Sequence, residues 1–314
     1  MTKLLVTGGC GFIGSCFIRH MTNKYPNYKI INLDALTYCG KKENLADIEG
    51  NPNYTFIHGN ICDKKLVEEI ISETDYVVNF AAETHVDNSI TAPEIFVKTN
   101  IEGTLTLLQA SKKHNIKKFL QVSTDEVYGS LDKEGFFTEN SPIRPNSPYS
   151  ASKASADMLV HSYHKTYGLP TLITRCSNNY GPYQYPEKLI PFFVSKLLKN
   201  EKIPVYGDGE NIRDWIYVYD HCEAIDLVLH KGKFGEVYNI GSNNEKSNLE
   251  IVKLILNTLN KDESHIEFVQ DRAGHDRRYA ICNTKITSEL GWKANTDFQK
   301  GIIDTINWYI KHLQ

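Results

Sequence analysis

At 314 residues the chain is long enough for one large domain or two moderate ones. A chain of this size buries roughly 75% of the surface its unfolded form exposes, so it needs no disulfide or metal staple. The composition is 41% hydrophobic and 23% charged, with a net charge of −3 and no long Lys/Arg run, which argues against a nucleic-acid partner held by bulk electrostatics.

The N-terminus enters a strand at once, with no charged segment leading into a long apolar one. No later segment is apolar for long enough to span a bilayer, so no membrane partner and a cytoplasmic location are expected. The seven cysteines (Cys10, Cys16, Cys39, Cys62, Cys176, Cys222 and Cys282) are scattered, without C-x-x-C or zinc spacing. They read as buried reduced thiols of a reducing compartment, and no metal is expected.

The first strand, KLLVT at 3–7, runs into Gly8-Gly9-Cys10-Gly11-Phe12-Ile13-Gly14 and a helix over 11–23. The second, KIINLD at 29–34, ends in Asp34, 20 residues after Gly14. Glycines between a strand and a helix let backbone N–H groups approach a pyrophosphate at the positive end of the helix. An acidic residue at this spacing accepts hydrogen bonds from ribose hydroxyls and repels a 2′-phosphate, which favours NAD over NADP. The plainer alternative is a glycine-rich turn with a capping aspartate.

Strands follow at 54–59, 76–81, 117–123 and 170–175, with helices over 63–72, 93–114 and 150–167 between them. The strands are near-continuously apolar, as strands buried on both faces of a parallel sheet are. This alternation implies an α/β fold, a Rossmann doubly wound parallel sheet with right-handed crossovers. Beyond Tyr180 the rhythm breaks at Pro182, Pro186, Pro191 and Pro204. Residues 1–177 are therefore expected to form an NAD-binding Rossmann domain. Residues 178–314 are expected to form mainly a smaller mixed α/β substrate domain, with part of it free to return to the sheet.

Tyr149 and Lys153 stand four apart, on one face of a helix beginning near Pro148. A phenol with a pKa near 10 is a poor base at neutral pH. A nearby ammonium and a positive nicotinamide ring favour the phenolate and lower that value. The alternative for an i, i+4 pair is an exposed surface contact. Upstream, the 117–123 strand runs out at Ser123-Thr124, where a hydroxyl could hold the same substrate oxygen. Asp125 and Glu126 follow at the carboxyl end of that strand. Alcohol oxidation and epimerisation need no second acid/base pair, whereas dehydration needs one group to remove a carbon-bound proton and another to protonate the leaving hydroxyl. Solvated or capping acids are the alternative.

Strand, hydroxyl, tyrosine and lysine in this order, after such a glycine loop, resemble the extended short-chain dehydrogenase/reductase family over nearly the whole chain. Phe80-Ala81-Ala82 and Asn100 add to the likeness. TDEVYG at 124–129, AETHVD at 82–87, SNNYGPY at 177–183, IRDW at 212–215 and DRAGHDRRY at 271–279 are similar to the branch that dehydrates nucleotide sugars.

The resemblance implies dTDP-glucose as substrate and a homodimer joined through the 93–114 helix and the helix carrying Tyr149. It implies that Thr124, Tyr149 and Lys153 serve C4 oxidation, that Glu126 takes the C5 proton, and that Asp125 protonates the C6 hydroxyl. To the cofactor contacts of Gly8, Gly11, Phe12, Ile13, Gly14 and Asp34 it adds Asn60, Ile61, Ala81, Ala82, Tyr149 and Lys153. To Arg213, chosen for the diphosphate because guanidinium forks onto phosphate oxygens, it adds a wall of Asn179, Lys188, Leu189, Pro204, Tyr206, Asn248 and the 271–275 segment from Asp271 to His275. For Arg213 a salt bridge with Asp214 or Asp220 is the alternative. His85 divides between site contact and structure, and the Asp276/Arg277/Arg278 cluster between site wall and domain bridging.

The chain departs from the family at Asn60, usually an aspartate, and in the compact stretch between Gly129 and Tyr149. A sugar-nucleotide 4-epimerase or decarboxylase, and a non-catalytic NAD-binding scaffold, remain as rival readings.

Overall fold

The computed structural model describes residues 1–271 and 274–313. Arg272 and Ala273 of the expected substrate wall lie outside the described residues. The first half alternates β1 (Lys3–Thr7), α1 (Phe12–Lys24), β2 (Lys29–Asp34), β3 (Tyr54–His58), α2 (Lys64–Ile71) and β4 (Tyr76–Asn79). There follow α3 (Val86–Thr91), α4 (Pro93–Phe96), a π-helical stretch (Val97–Gly103), α5 (Thr104–Lys113), β5 (Lys118–Thr124), α6 (Pro148–Tyr167) and β6 (Thr171–Cys176).

The inner strands form because both of their faces are buried, whereas β3, at the sheet edge, has no fully buried residue and departs from the expectation for 54–59. On β1, Leu4 and Val6 join the core under α1, whereas Leu5 joins the core under α2 and α5. Val78 and Val77 of β4 divide in the same way, as successive side chains on a pleated strand must. Helix ends carry their own signals. Asp63 caps α2 by accepting from the Lys65 and Leu66 N–H groups. Ser147 caps α6 in a capping box with Ser150, and the helix stops at Gly168, in the left-handed conformation at φ 69°.

The second half supplies β7 (Asn178–Tyr180), α7 (Leu189–Leu198), β8 (Ile203–Tyr206), β9 (Ile212–Tyr217), α8 (Val218–Lys231) and β10 (Val237–Ile240). The last elements are β11 (Glu245–Ser247), α9 (Asn248–Thr258), β12 (Ile266–Val269), α10 (Thr284–Leu290) and α11 (Phe298–Leu313). Seven strands form one sheet in the order β10-β6-β5-β4-β1-β2-β3, parallel throughout. Strand order reverses between β1 and β4, which opens a crevice at the carboxyl ends. Thus β10 returns to the large sheet, and α8 covers its β1 face beside α1.

The small lobe holds a three-stranded sheet, β11-β9-β7, and the pair β12-β8. Its own apolar core joins α7, α9 and α11. Among the described residues no helix is long and apolar enough to cross a membrane.

Two further sequence expectations need correction. The helix expected over 93–114 is not one α-helix, because residues 97–103 wind as a π-helix, and its cause lies in the site. The cysteines are all free, but Cys39, Cys62 and Cys282 are only partly buried.

Candidate active site

The glycine loop is shaped by contact. Gly8 has φ +70°, and a Cβ there would stand 2.7 Å from the Ala81 nitrogen. A Cβ on Gly14 would stand 2.3 Å from the Gly8 carbonyl oxygen. The N-cap of α1 is Gly11, with no side-chain cap, so no side chain competes with an anion for the first-turn N–H groups.

A cavity of about 310 Å³ opens above this loop, lined by Gly8, Gly11, Phe12, Ile13, Gly14, Asp34, Asn60, Ile61, Ala81 and Ala82 on one side and Tyr149 and Lys153 on the other. Asp34 accepts from the backbone N–H groups of Cys10 and Leu36, both at 2.8 Å, so its carboxylate is fixed at the ribose end. Asn60 spends its carbonyl oxygen on the Cys62 N–H at 2.8 Å. These residues fit a dinucleotide.

Across the cavity, Lys153 donates from Nζ to the Val122 carbonyl at 2.7 Å. Tyr149 is buried, and burial raises its pKa well above the ordinary phenol value; Glu126 and Cys176 add to this, and a hydrogen bond with Thr124 opposes it. Burial also lowers Lys153, against the pull of Asp157. The expected acidification of the phenol also calls on the positive nicotinamide ring, and Lys153 without it does not offset burial. In the free protein Tyr149 remains a phenol.

The two acids are unlike. Asp125 is 1% exposed, and its Oδ2 is buried without a hydrogen-bond partner. Burial, then the charges of Glu126 and Asp214, raise its pKa well above the carboxylate range, against Arg213 and Thr124. Burial thus favours the protonated form of the Asp125 carboxyl. Glu126 stands between two cavities and lines both.

The second cavity, of about 480 Å³, is lined by His85, Lys188, Leu189, Pro204, Tyr206, Arg213, Asn248 and His275. Thr124 and Asn179 line the cofactor cavity instead. Asp271 lines neither, and its carboxylate meets His275 Nδ1 at 2.6 Å. Among the described residues Arg213 forms no carboxylate ion pair; it donates to the carbonyls of Ile212 at 2.7 Å and Asp276 at 2.9 Å. Asp214 instead accepts from the N–H groups of Ser242 and Asn244, and Asp220 accepts from that of Thr296. Of the basic cluster, Asp276 lines the substrate cavity, whereas Arg278 pairs with Glu245 at 2.7 Å and Arg277 with Asp208 at 2.8 Å.

Sequence reasoning missed several members. Glu187 lines both cavities and accepts from the Tyr38 hydroxyl at 3.1 Å. The Tyr38 and Tyr185 rings meet edge to face at 5.5 Å, and Lys41 lies 5.4 Å from the Tyr185 ring. This strap ties the loop after β2 to the 181–188 loop, whose far side is held by the Tyr309 hydroxyl on the Gly181 and Gln184 carbonyls. His221 is fully buried, its pKa lowered by burial to about 3, so its neutral ring donates from Nδ1 to the Asn179 Oδ1 at 2.8 Å. Asn100, by contrast, was singled out in the sequence; in the π stretch it accepts from the Glu83 N–H at 2.8 Å and donates to the Glu83 carbonyl and to Ser152 Oγ. The conspicuous signal for these residues was only their chemical type, since the partners are remote in sequence.

A parallel sheet with a dinucleotide crevice, a Thr/Tyr/Lys group and a buried acid beside Glu126 define a Rossmann-fold enzyme that oxidises and dehydrates. The family model described as GDP-mannose 4,6 dehydratase matches residues 5–305, and the chain belongs to that family. It is 52% identical over 307 residues to the low-salt glycan biosynthesis protein Agl12 of Haloferax volcanii, covering 98% of each chain. It is 50% identical to the dTDP-glucose 4,6-dehydratase of Xanthomonas campestris, covering 99% of this chain and 93% of the relative. The crystal structure of DesIV, a dTDP-glucose 4,6-dehydratase from Streptomyces venezuelae with NAD and TYD bound, superposes with a TM-score of 0.97 at 48% identity, covering 99% of this chain and 97% of that one.

Proposed function

We propose that this chain is a hydro-lyase that converts dTDP-glucose to dTDP-4-dehydro-6-deoxyglucose, with NAD as resident cofactor. The observation that carries the reading is the buried Asp125 next to Glu126, which lines both cavities. When bound, NAD supplies the hydride acceptor for C4 and the donor that returns hydride at C6. The residues expected to hold it are the 8–14 loop, Asp34, Asn60, Ile61, Ala81 and Ala82, all of which line the first cavity.

Tyr149, beside Thr124 in the cavity lining, would act as the phenolate, a form that Lys153 and the positive charge of bound NAD favour, and so take the C4 hydroxyl proton. Lys153, fixed on the Val122 carbonyl, supplies positive charge beside it. The 4-keto group acidifies the C5 proton, and Glu126 removes it. Asp125 gives its proton to the C6 hydroxyl, water leaves, and a proton returns to C5 as hydride is delivered to C6. Two carboxyls with opposite protonation states are what elimination of water requires. Arg213 receives the diphosphate, and His85, Lys188, Leu189, Pro204, Tyr206, Asn248 and His275 wall the nucleotide sugar. A 4-epimerase or decarboxylase would leave the buried Asp125 without work, and a scaffold would have no use for the Thr124/Tyr149/Lys153 group.

The chain is further proposed to act as a cytoplasmic homodimer. Seven free thiols support the compartment, and the exposed apolar side chains of Ile90, Ile95, Val97 and Met158 on α3, α4, the π stretch and α6 support the pairing.

Purified protein offered dTDP-glucose and UDP-glucose separately should release a product lighter by one water from the first. In Asp125→Asn/Glu126→Gln, C4 oxidation should survive and the bound cofactor should accumulate in its reduced form, while water loss falls by at least about a thousandfold. Undiminished dehydration in that double variant would remove both carboxyls from the reaction.

A further inference from the structure

We infer that Tyr279 is a positioning residue that presets Arg213 for the diphosphate, an inference that rests on the substrate reading above. The Arg213 guanidinium carbon lies 4.3 Å from the centre of the Tyr279 ring, and the two side chains line the same cavity as Glu126. Both residues are nearly buried, at 8% and 5% exposure. A cation over an aromatic face is attracted most strongly where water is excluded, and a planar guanidinium also stacks.

The ring itself is pinned on two sides. Its hydroxyl donates to Asp276 Oδ2, the same carboxylate that receives the Asn146 amide at 2.6 Å on its other oxygen. Its backbone N–H donates to the Ile212 carbonyl at 3.1 Å. That carbonyl also accepts one Arg213 N–H, and the Asp276 carbonyl accepts a second. Tyr279, Ile212 and Asp276 thus form a single fixture under the guanidinium. The fixture has a clear electrostatic consequence. Arg213 is oriented by a ring face and two neutral carbonyls rather than by a carboxylate, so its full charge stays available to an anion in the cavity. Of its five N–H donors, two are spent on the carbonyls. A carboxylate partner would have oriented the side chain equally well and cancelled the charge that a diphosphate needs.

The test compares dTDP with thymidine as probes, by calorimetry on the full chain, together with kinetics on dTDP-glucose. In Tyr279→Leu the dTDP affinity should fall about tenfold, with KM rising in parallel, while thymidine affinity and kcat stay within about twofold. Tyr279→Phe keeps the ring and loses only the hydrogen bond to Asp276, so it should lose about threefold for dTDP alone. It carries the same test if the leucine variant does not fold. In an Arg213→Gln background neither substitution should weaken dTDP further, because the two residues act through one interaction. Equal losses for dTDP and thymidine, or losses that add to that of Arg213→Gln, would overturn the positioning role. A wild-type protein that binds neither probe would instead remove the substrate reading and leave the Tyr279–Arg213 stack a structural one.

Discussion

Asp125 sits where a carboxylate is expensive, sealed from water and facing the charges of Glu126 and Asp214. Its folded-state pKa lies above the ordinary value of 3.8, so above that pH the unfolded chain releases a proton that the folded chain keeps. Stability from this group is therefore complete below about pH 3.8 and declines as pH rises toward the folded value. Asp125→Asn, which has no proton to lose, should raise the melting temperature at pH 7 by about 2–4 °C. The gain should vanish near pH 4, as scanning calorimetry at the two pH values would show. An equal gain at both would mean that charge is not the cause. The adjacency of the two acids was plain in the sequence, but the upward shift of Asp125 was not, because it comes from burial and from Asp214, about ninety positions away. Tyr149 was legible only in part: spacing reveals the lysine four residues on, and says nothing of burial or of Glu126.

Elements were legible to the degree that burial writes a period into them. β1, β2 and β4 to β6 show themselves as short apolar runs because both faces meet helices, and α6 carries its capping serine and terminal glycine in plain view. The π stretch has no such signature. It forms where Asn100 must reach both the Glu83 backbone and Ser152, and a wider turn delivers that side chain. The strap is equally silent, since Tyr38, Lys41, Tyr185 and Glu187 meet only after folding. It crosses the mouth of the cofactor cavity, whose lining includes Thr37, Cys39, Gly40, Tyr185 and Glu187. A cofactor restored in every cycle gains from being held. Tyr185→Ala removes the Tyr38 and Lys41 contacts together and should speed NAD release about tenfold, measured by diluting loaded protein into NAD-free buffer. An unaltered release rate would mean that the strap holds only the protein.

For the molecule as a whole, the exposed apolar side chains of Ile95 and Met158, 43% and 58% accessible, lie on the elements expected to join two copies. Exposed apolar side chains on these elements are what the proposed pairing would cover. Ile95→Glu together with Met158→Glu should shift sedimentation from two chains to one, while NAD content is kept. A wild-type chain that sediments as a monomer at micromolar concentration would refute the pairing.

The path of the backbone carries one more consequence. After β7, α7, β8 and β9 the chain goes back to lay α8 over the β1 face and β10 along the β6 edge, and only then completes the small lobe. No single scissor cut can part the lobes. A fragment ending at residue 177 would leave Leu172 of β6 without the cover that α8 gives and β6 with a bare edge. The small lobe is therefore threaded through the Rossmann lobe, and each is finished by the other's chain.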